Sequence, residues 1–263
     1  MINQSMIKKW DDIVITKPDK GSGVVVMDKL EYIQQLNEAS IDDLTEFWPI
    51  SQQKPTTRER PPKYYHLLLA KEKHLESVVR EILPKEMADF VLQKGSHLAH
   101  LYGLPKTNKT TLAMWQILSA TGTYNYPLAK WLDEKLKPLS TNEYTISDVF
   151  YFAEEIQQFK LDKTDFLVSY DVTALSTNVP LDETVHILAD KVFKDNWLNK
   201  THNMNISKDD LIELRSIATE KNSYFNLMET CRNKLMVSIG SPLGPLVANA
   251  FMCSVWEQAS EFL

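Results

Sequence analysis

Residues 13–15 (IVI) and 24–27 (VVVM) are strand-length apolar runs separated by KPDKGSG. Proline, aspartate and two glycines make that separator a turn, so the spacing predicts a β-hairpin. Residues 30–44 have helical spacing, and residues 49–63, with four prolines and several charges, predict a loop or linker. Leu67, Ala70, Leu75, Val78, Val79 and Ile82 recur at helical intervals up to Pro84, which closes that helix. Residues 97–104 and 114–118 predict strands on either side of a polar loop with Lys106 and Lys109. Residues 126–136 and 146–159 predict helices, the second with Val149, Phe152, Ala153, Ile156 and Phe159 on one face.

The second half begins with a predicted strand over 166–170 that ends at Asp171, then a helix over 181–193. Ser207 caps a helix running to about Glu220, and residues 223–226 and 234–238 predict paired strands. Ser241 and Pro242 start a last helix, with serine as cap and proline in the first turn, through Leu246, Ala250 and Trp256. No repeat or low-complexity tract interrupts this mixture, which predicts an α+β fold.

Composition changes this picture little. Of 263 residues, 43% are hydrophobic and 24% charged, as in an ordinary globular protein with a sizeable core. Cys231 and Cys253 are too few for a disulfide framework or a cysteine zinc site, and they fit a reducing compartment. No apolar run has membrane-spanning length, and MINQSMIKKWDD lacks the apolar core of a signal peptide. The expectation is an intracellular protein, nuclear or cytoplasmic, that does not enter a membrane. Net charge is −6 and pI about 5.6, which counts against an overall basic nucleic-acid binder. Residues 54–109 nevertheless carry 11 Lys/Arg against 6 Asp/Glu, a local +5. That is compatible with a phosphate-binding lobe beside a metal-binding one, and equally with chance.

Two segments carry candidate chemistry. In FLVSYDVTALSTNVP a hydrophobic strand would deliver Asp171 at its end. Nucleotidyl transfer needs carboxylates held on a rigid element around two divalent ions, though a strand-end aspartate can also simply cap the next turn. In MVSIGSPLGPLVAN, Gly240 and Gly244 bracket a helix N-terminus where a nucleotide or base pair could approach the backbone. A plain turn before a buried helix reads the same way. His97 and His100 are three apart, which on a strand points them to opposite sides. The pairs Asp11-Asp12, Asp42-Asp43 and Asp209-Asp210 read as solvated surface or as acids at helix starts. Gly-x-Ser-x-Gly and Gly-x-Gly-x-x-Gly are absent.

LVSYDVTALSTNVPLDET followed by GSPLGPLVANAFM resembles the A and B motifs of Penelope-like reverse transcriptases. ITKPDKGSGVVVMDKLEYI is similar to that family's DKG region, LYGLPKTNK to its Tyr-Gly-Leu-Pro-Lys signature, and TYNYPLAKWLDEKLKPL also fits. The matches are collinear and run from about Ile13 to Glu257. The resemblance implies right-hand polymerase fingers, about residues 1–160, and an incomplete palm, about 161–263. It implies RNA-directed DNA synthesis with Mg²⁺ on an RNA template, a DNA primer and a dNTP. Asp171 would be the first catalytic carboxylate and hold metal with the Val172 carbonyl. Lys20 and Lys106 would face template or triphosphate, and Gly240 and Ser241 would shape the primer or nucleotide contact.

Departures from the family pattern qualify the activity. Trp115-Gln116-Ile117 stands where the family has Arg-Pro-Ile, and Ser176 where it has an aromatic that rejects a 2′-hydroxyl. Cys231, Asn233 and Met236 replace a tyrosine, a glutamine and a glycine. The expected Asp pair of the third motif does not follow the helix with Glu257 before Leu263. The expectation is a truncated, degenerate copy that cannot polymerise alone. The competing reading is a domesticated, non-catalytic module that binds nucleic acid or protein with the same fold. The sequence does not determine the oligomeric state.

Overall fold

The structure is a computed structural model that describes residues 12–38, 47–49, 63–92, 95–108, 113–160, 168–172, 175, 179–219, 223–227, 230–234 and 240–260. It divides the chain into two compact units by internal packing. The first joins Met1–Lys130 to Glu213–Pro242, and the second joins Trp131–Ile212 to Leu243–Leu263. The units are interleaved along the chain. The architecture is mixed α+β.

In the first unit the expected hairpin forms from β1 (Ile13–Thr16) and β2 (Val25–Asp28), with Ile13 opposite Asp28. Helix α1 (Lys29–Leu36) follows at once, because the Asp28 carboxylate accepts hydrogen bonds from the backbone N–H groups of Leu30 and Glu31 at 2.8 and 3.1 Å. A five-stranded sheet has the order β3 (Phe47–Pro49), β7 (Thr230–Lys234), β6 (Ser223–Leu227), β4 (Ala99–Pro105), β5 (Met114–Ser119). Among the described strands of this sheet β4 and β6 pair in parallel, and the other neighbours are antiparallel. Helices α2 (Lys63–Ile82) and α3 (Lys85–Val91) pack together, with Leu75, Val79 and Val91 fully buried. Helix α4 (Tyr126–Leu136) begins in this unit, where Asn125 Nδ2 donates to the carbonyls of Ile217 and Ala218 at 3.1 and 3.2 Å.

In the second unit α5 (Val149–Gln158) is capped by the Asp148 carboxylate. Helix α6 (Leu181–Phe193) packs on α7 (Trp197–His202) and on α9 (Leu243–Ser260). Val185, Leu188, Ala189, Val192, Leu246 and Ala250 are buried here. Glu257 of α9 accepts from Lys191 Nζ at 2.7 Å and from Asn142 Nδ2 at 3.4 Å. Helix α8 (Lys208–Ala218) starts as expected at Ser207, whose hydroxyl accepts from Asp210 N–H while Ser207 N–H donates back to the Asp210 carboxylate.

Three local expectations are corrected. Residues 168–170 of the expected 166–170 strand are irregular and exposed; 166 and 167 lie outside the described residues. The strand that pairs with Ser223–Leu227 is Thr230–Lys234, with Leu227 opposite Thr230, and residues 235–238 of the expected 234–238 strand lie outside the described residues. The apolar face expected on 146–159 has no fully buried residue: Phe152 and Ile156 are half-buried, while Val149 and Phe159 are exposed.

Candidate functional site

The first unit brings together two segments that the sequence separates. The KPDKGSG turn between β1 and β2 carries Lys17, Lys20 and Gly21, and β4 carries LYGLP and leads into Lys106. Asp19 N–H donates to the Pro105 carbonyl at 2.9 Å, which ties the turn to the end of β4. Lys106 N–H then donates to the Ala113 carbonyl at 2.8 Å, closing the β4–β5 hairpin. Lys20 and Lys106 therefore each follow a residue of one backbone hydrogen bond. Lys20 is exposed and Lys106 half-buried. Gly21 has φ +87°, and a Cβ built there meets nothing within 4 Å, so its glycine serves the backbone conformation.

Helix α1 lies on one face of the hairpin. The Tyr32 hydroxyl donates to the Gly103 carbonyl at 3.1 Å and accepts from Gly103 N–H at 2.7 Å. A Cβ on Gly103 would stand 3.0 Å from Leu36 Cδ1, and Gln116 Nε2 donates to the Leu36 carbonyl at 2.9 Å. The glycine of the Tyr-Gly-Leu-Pro-Lys segment thus seats a helix. Between Asp89 and Asp133 the sequence contains no Asp or Glu, but it contains Lys94, Lys106, Lys109 and Lys130. The hairpin accordingly has no carboxylate of its own.

Gly240 makes an isolated parallel bridge with Ser119 at the end of β5, and a Cβ on it would lie 2.3 Å from the Leu118 carbonyl oxygen. Its small size admits the β5 backbone, which accounts for the glycine without a ligand. Ser241 beside it is buried. His97 precedes β4 rather than lying within it, so strand alternation does not separate it from His100. The two rings meet with centroids 4.7 Å apart, and His97 Nδ1 is 2.9 Å from the Leu98 carbonyl.

Asp171 belongs to the second unit, in the exposed irregular segment Val168–Val172. Ser176 lies outside the described residues. Among the described residues no three His, Cys, Asp or Glu side chains group so as to hold a metal ion. Asp171 with the Val172 carbonyl falls far short of the six oxygens that Mg²⁺ prefers, so the described residues do not build the metal centre that the resemblance implies. A shallow depression in the same unit is lined by Asp190, Lys191, Phe193, Lys194 and Lys208. Lys208 is bonded to Asp190 at 2.6 Å and Lys191 to Glu257 at 2.7 Å, so two of its three cations are neutralised.

Sequence reasoning singled out Lys20 and Lys106, and Trp115 only as a departure from the family pattern, but did not bring in Tyr102. Tyr102 and Trp115 lie on the hairpin face opposite α1, and their signal was period-two alternation through His100, Tyr102 and Leu104. Among the described residues no helix is long and apolar enough to cross a membrane. The sequence matches no protein-family model, and a search of curated proteins returns no match.

Proposed function

We propose that the chain is a reverse-transcriptase domain of the Penelope-like kind, with polymerase fingers over about residues 1–160 and the Asp171 segment in an incomplete palm over about 161–263. The observation that supports this most is the Asp19–Pro105 hydrogen bond, because it joins the two lysine-bearing motifs on which the resemblance partly rests. In this reading the reaction is addition of a dNTP to a DNA primer on an RNA template. Lys20 and Lys106 bind phosphate oxygens, as flexible ammonium groups at a turn can. Asp171 and the Val172 carbonyl would be the metal ligands, Ser176 would face the sugar, and Gly240 and Ser241 would face the primer. Mg²⁺ belongs to the same reading, and a lone carboxylate holds it poorly.

Primer extension on an RNA template with Mg²⁺ or Mn²⁺ should not exceed that of Asp171→Ala for the 263-residue chain. Primer–template should still bind at low salt, weaken as salt rises, and weaken with Lys20→Gln and Lys106→Gln together. If that double variant binds with unchanged affinity and salt dependence, the two lysines do not meet phosphate and the reading fails.

A second reading, a non-catalytic module for a protein partner, is favoured by α5. Phe150 and Tyr151 are 83% and 69% exposed there, and residues 138–159 hold four carboxylates and no Lys or Arg. Phe150→Ser and Tyr151→Ser should leave primer–template affinity unchanged if that surface serves a different partner.

A further inference from the structure

The register of the β4–β5 hairpin sets which side chains share a face. Leu104 is opposite Trp115, Tyr102 opposite Ile117 and His100 opposite Ser119. Residues directly opposite on an antiparallel pair lie on one side of the sheet. One face therefore carries Leu101, Gly103, Pro105, Met114, Gln116 and Leu118. It receives α1, and Gly103, Pro105, Met114 and Leu118 are buried. The other face carries Tyr102 and Trp115 as diagonal neighbours, with Cβ atoms within about 8 Å. The two residues remain 40% and 38% exposed. Lys106 continues this face at the end of β4, where the Asp19–Pro105 hydrogen bond brings up the Lys20 turn.

We propose that this open face is a stacking surface for the unpaired bases of single-stranded RNA. Tyr102 and Trp115 receive the bases, and Lys20 and Lys106 meet the neighbouring phosphates. Flat rings beside Lys17, Lys20 and Lys106, with Asp19 as the one acid of the KPDKGSG turn and no carboxylate between Asp89 and Asp133, match a polyanion that exposes π-faces. A duplex hides those faces in its own stack, so the surface selects single strands. The choice of RNA rests on the reading above, in which RNA is the strand copied. The two lysines are shared with that reading, whereas the two rings are not.

The test uses the full chain in metal-free buffer and a labelled 12-nucleotide single-stranded RNA of mixed sequence. A blunt RNA duplex and the matching DNA strand are the comparison arms. Trp115→Leu and Tyr102→Leu should each weaken single-strand binding about tenfold, while duplex binding stays within about twofold. Trp115→Phe should retain most of the affinity. Lys20→Gln with Lys106→Gln should weaken both forms and flatten the salt dependence. Because a leucine variant can fail to fold, the parent chain is also photocrosslinked to RNA containing 5-bromouridine. Adducts are expected within residues 101–106 and 113–118, and adducts confined to other segments would overturn the proposal.

Unchanged single-strand affinity in folded Trp115→Leu and Tyr102→Leu, with weakening in the lysine variants, overturns the stacking surface and leaves the phosphate reading standing. Loss with the ring variants but not the lysine variants does the reverse. DNA bound more than tenfold tighter than RNA overturns the assignment to RNA, and absence of oligonucleotide binding overturns both.

Discussion

Gly240 shows how one residue type can serve two accounts. A Cβ there would press on a carbonyl oxygen of β5, at 2.3 Å, and backbone does not move aside as a long side chain does. Gly240→Ala should cost about 2 kcal/mol or more in denaturant unfolding. Gly21→Ala meets no neighbour and should cost about 1 kcal/mol, for its left-handed backbone alone. Equal costs would show that close approach is not what Gly240 provides. His202 and Glu257 contribute to the acid side of stability. Burial lowers the His202 pKa from 6.5, Lys135 adds to this, and a hydrogen bond to the Lys135 backbone opposes it. The unfolded chain then binds the proton first, so stability should fall as pH drops below about 6.5 and level off below the folded value. His202→Gln should flatten that limb in thermal melts across pH 7 to 5. Burial pushes Glu257 up, but hydrogen bonds from Lys191 and Asn142 and the Lys191 charge outweigh it, and its pKa ends below 4.5. Its contribution is present above that value and is lost as pH falls through the lowered one. The carboxylate is partly exposed, so Glu257→Gln should cost no more than about 1 kcal/mol at neutral pH.

At the scale of elements, periodicity was informative for the helices. Residues 126–136 and 181–193 form helices with the expected bounds, and Ser207 caps α8 through the Asp210 exchange. The hairpin at 13–28 was also legible, from β-branched runs and turn residues, and the strands at 99–105 and 114–119 were legible as strands but not as a pair. Partner elements were not. Nothing local says that β4 pairs in parallel with β6, since Ala99 and Phe225 meet only through the fold. Nor could local pattern foresee that Val168 and Tyr170 stand exposed, because a buried strand and an open segment share the same apolar letters. The candidate site was half legible: its lysines lie in recognisable motifs, while the register that aligns Tyr102 and Trp115 is a property of the paired strands. Tyr32→Phe removes both hydrogen bonds to Gly103 and should cost about 1 kcal/mol, leaving Gly103 N–H without its acceptor. Phe150→Ser should change stability by no more than about 0.5 kcal/mol and should raise soluble yield. A loss of several kcal/mol would show that the ring is packed after all.

The whole molecule combines an acidic net charge of −6 with an acid-free stretch of lysines and rings. Long-range attraction to a polyanion is therefore weak, and local contacts decide what binds. The chain path has a different kind of consequence. Strands β6 and β7 lie between β3 and β4 in the sheet, yet they come roughly 100 residues after β5. A ribosome adding about 5–20 residues per second leaves β4 and β5 waiting some 5–20 s for those strands. Through that interval the β4–β5 pair is a two-stranded ribbon with an open edge, a form marginally stable in water and prone to pair with other chains. A chain shortened to residues 1–212 freezes the molecule at that moment. It should collect in the insoluble fraction, and slower elongation should lengthen the exposure and lower the yield of the full chain. Holding chaperones that cover nascent edges should matter most between the emergence of Ser119 and that of Lys234.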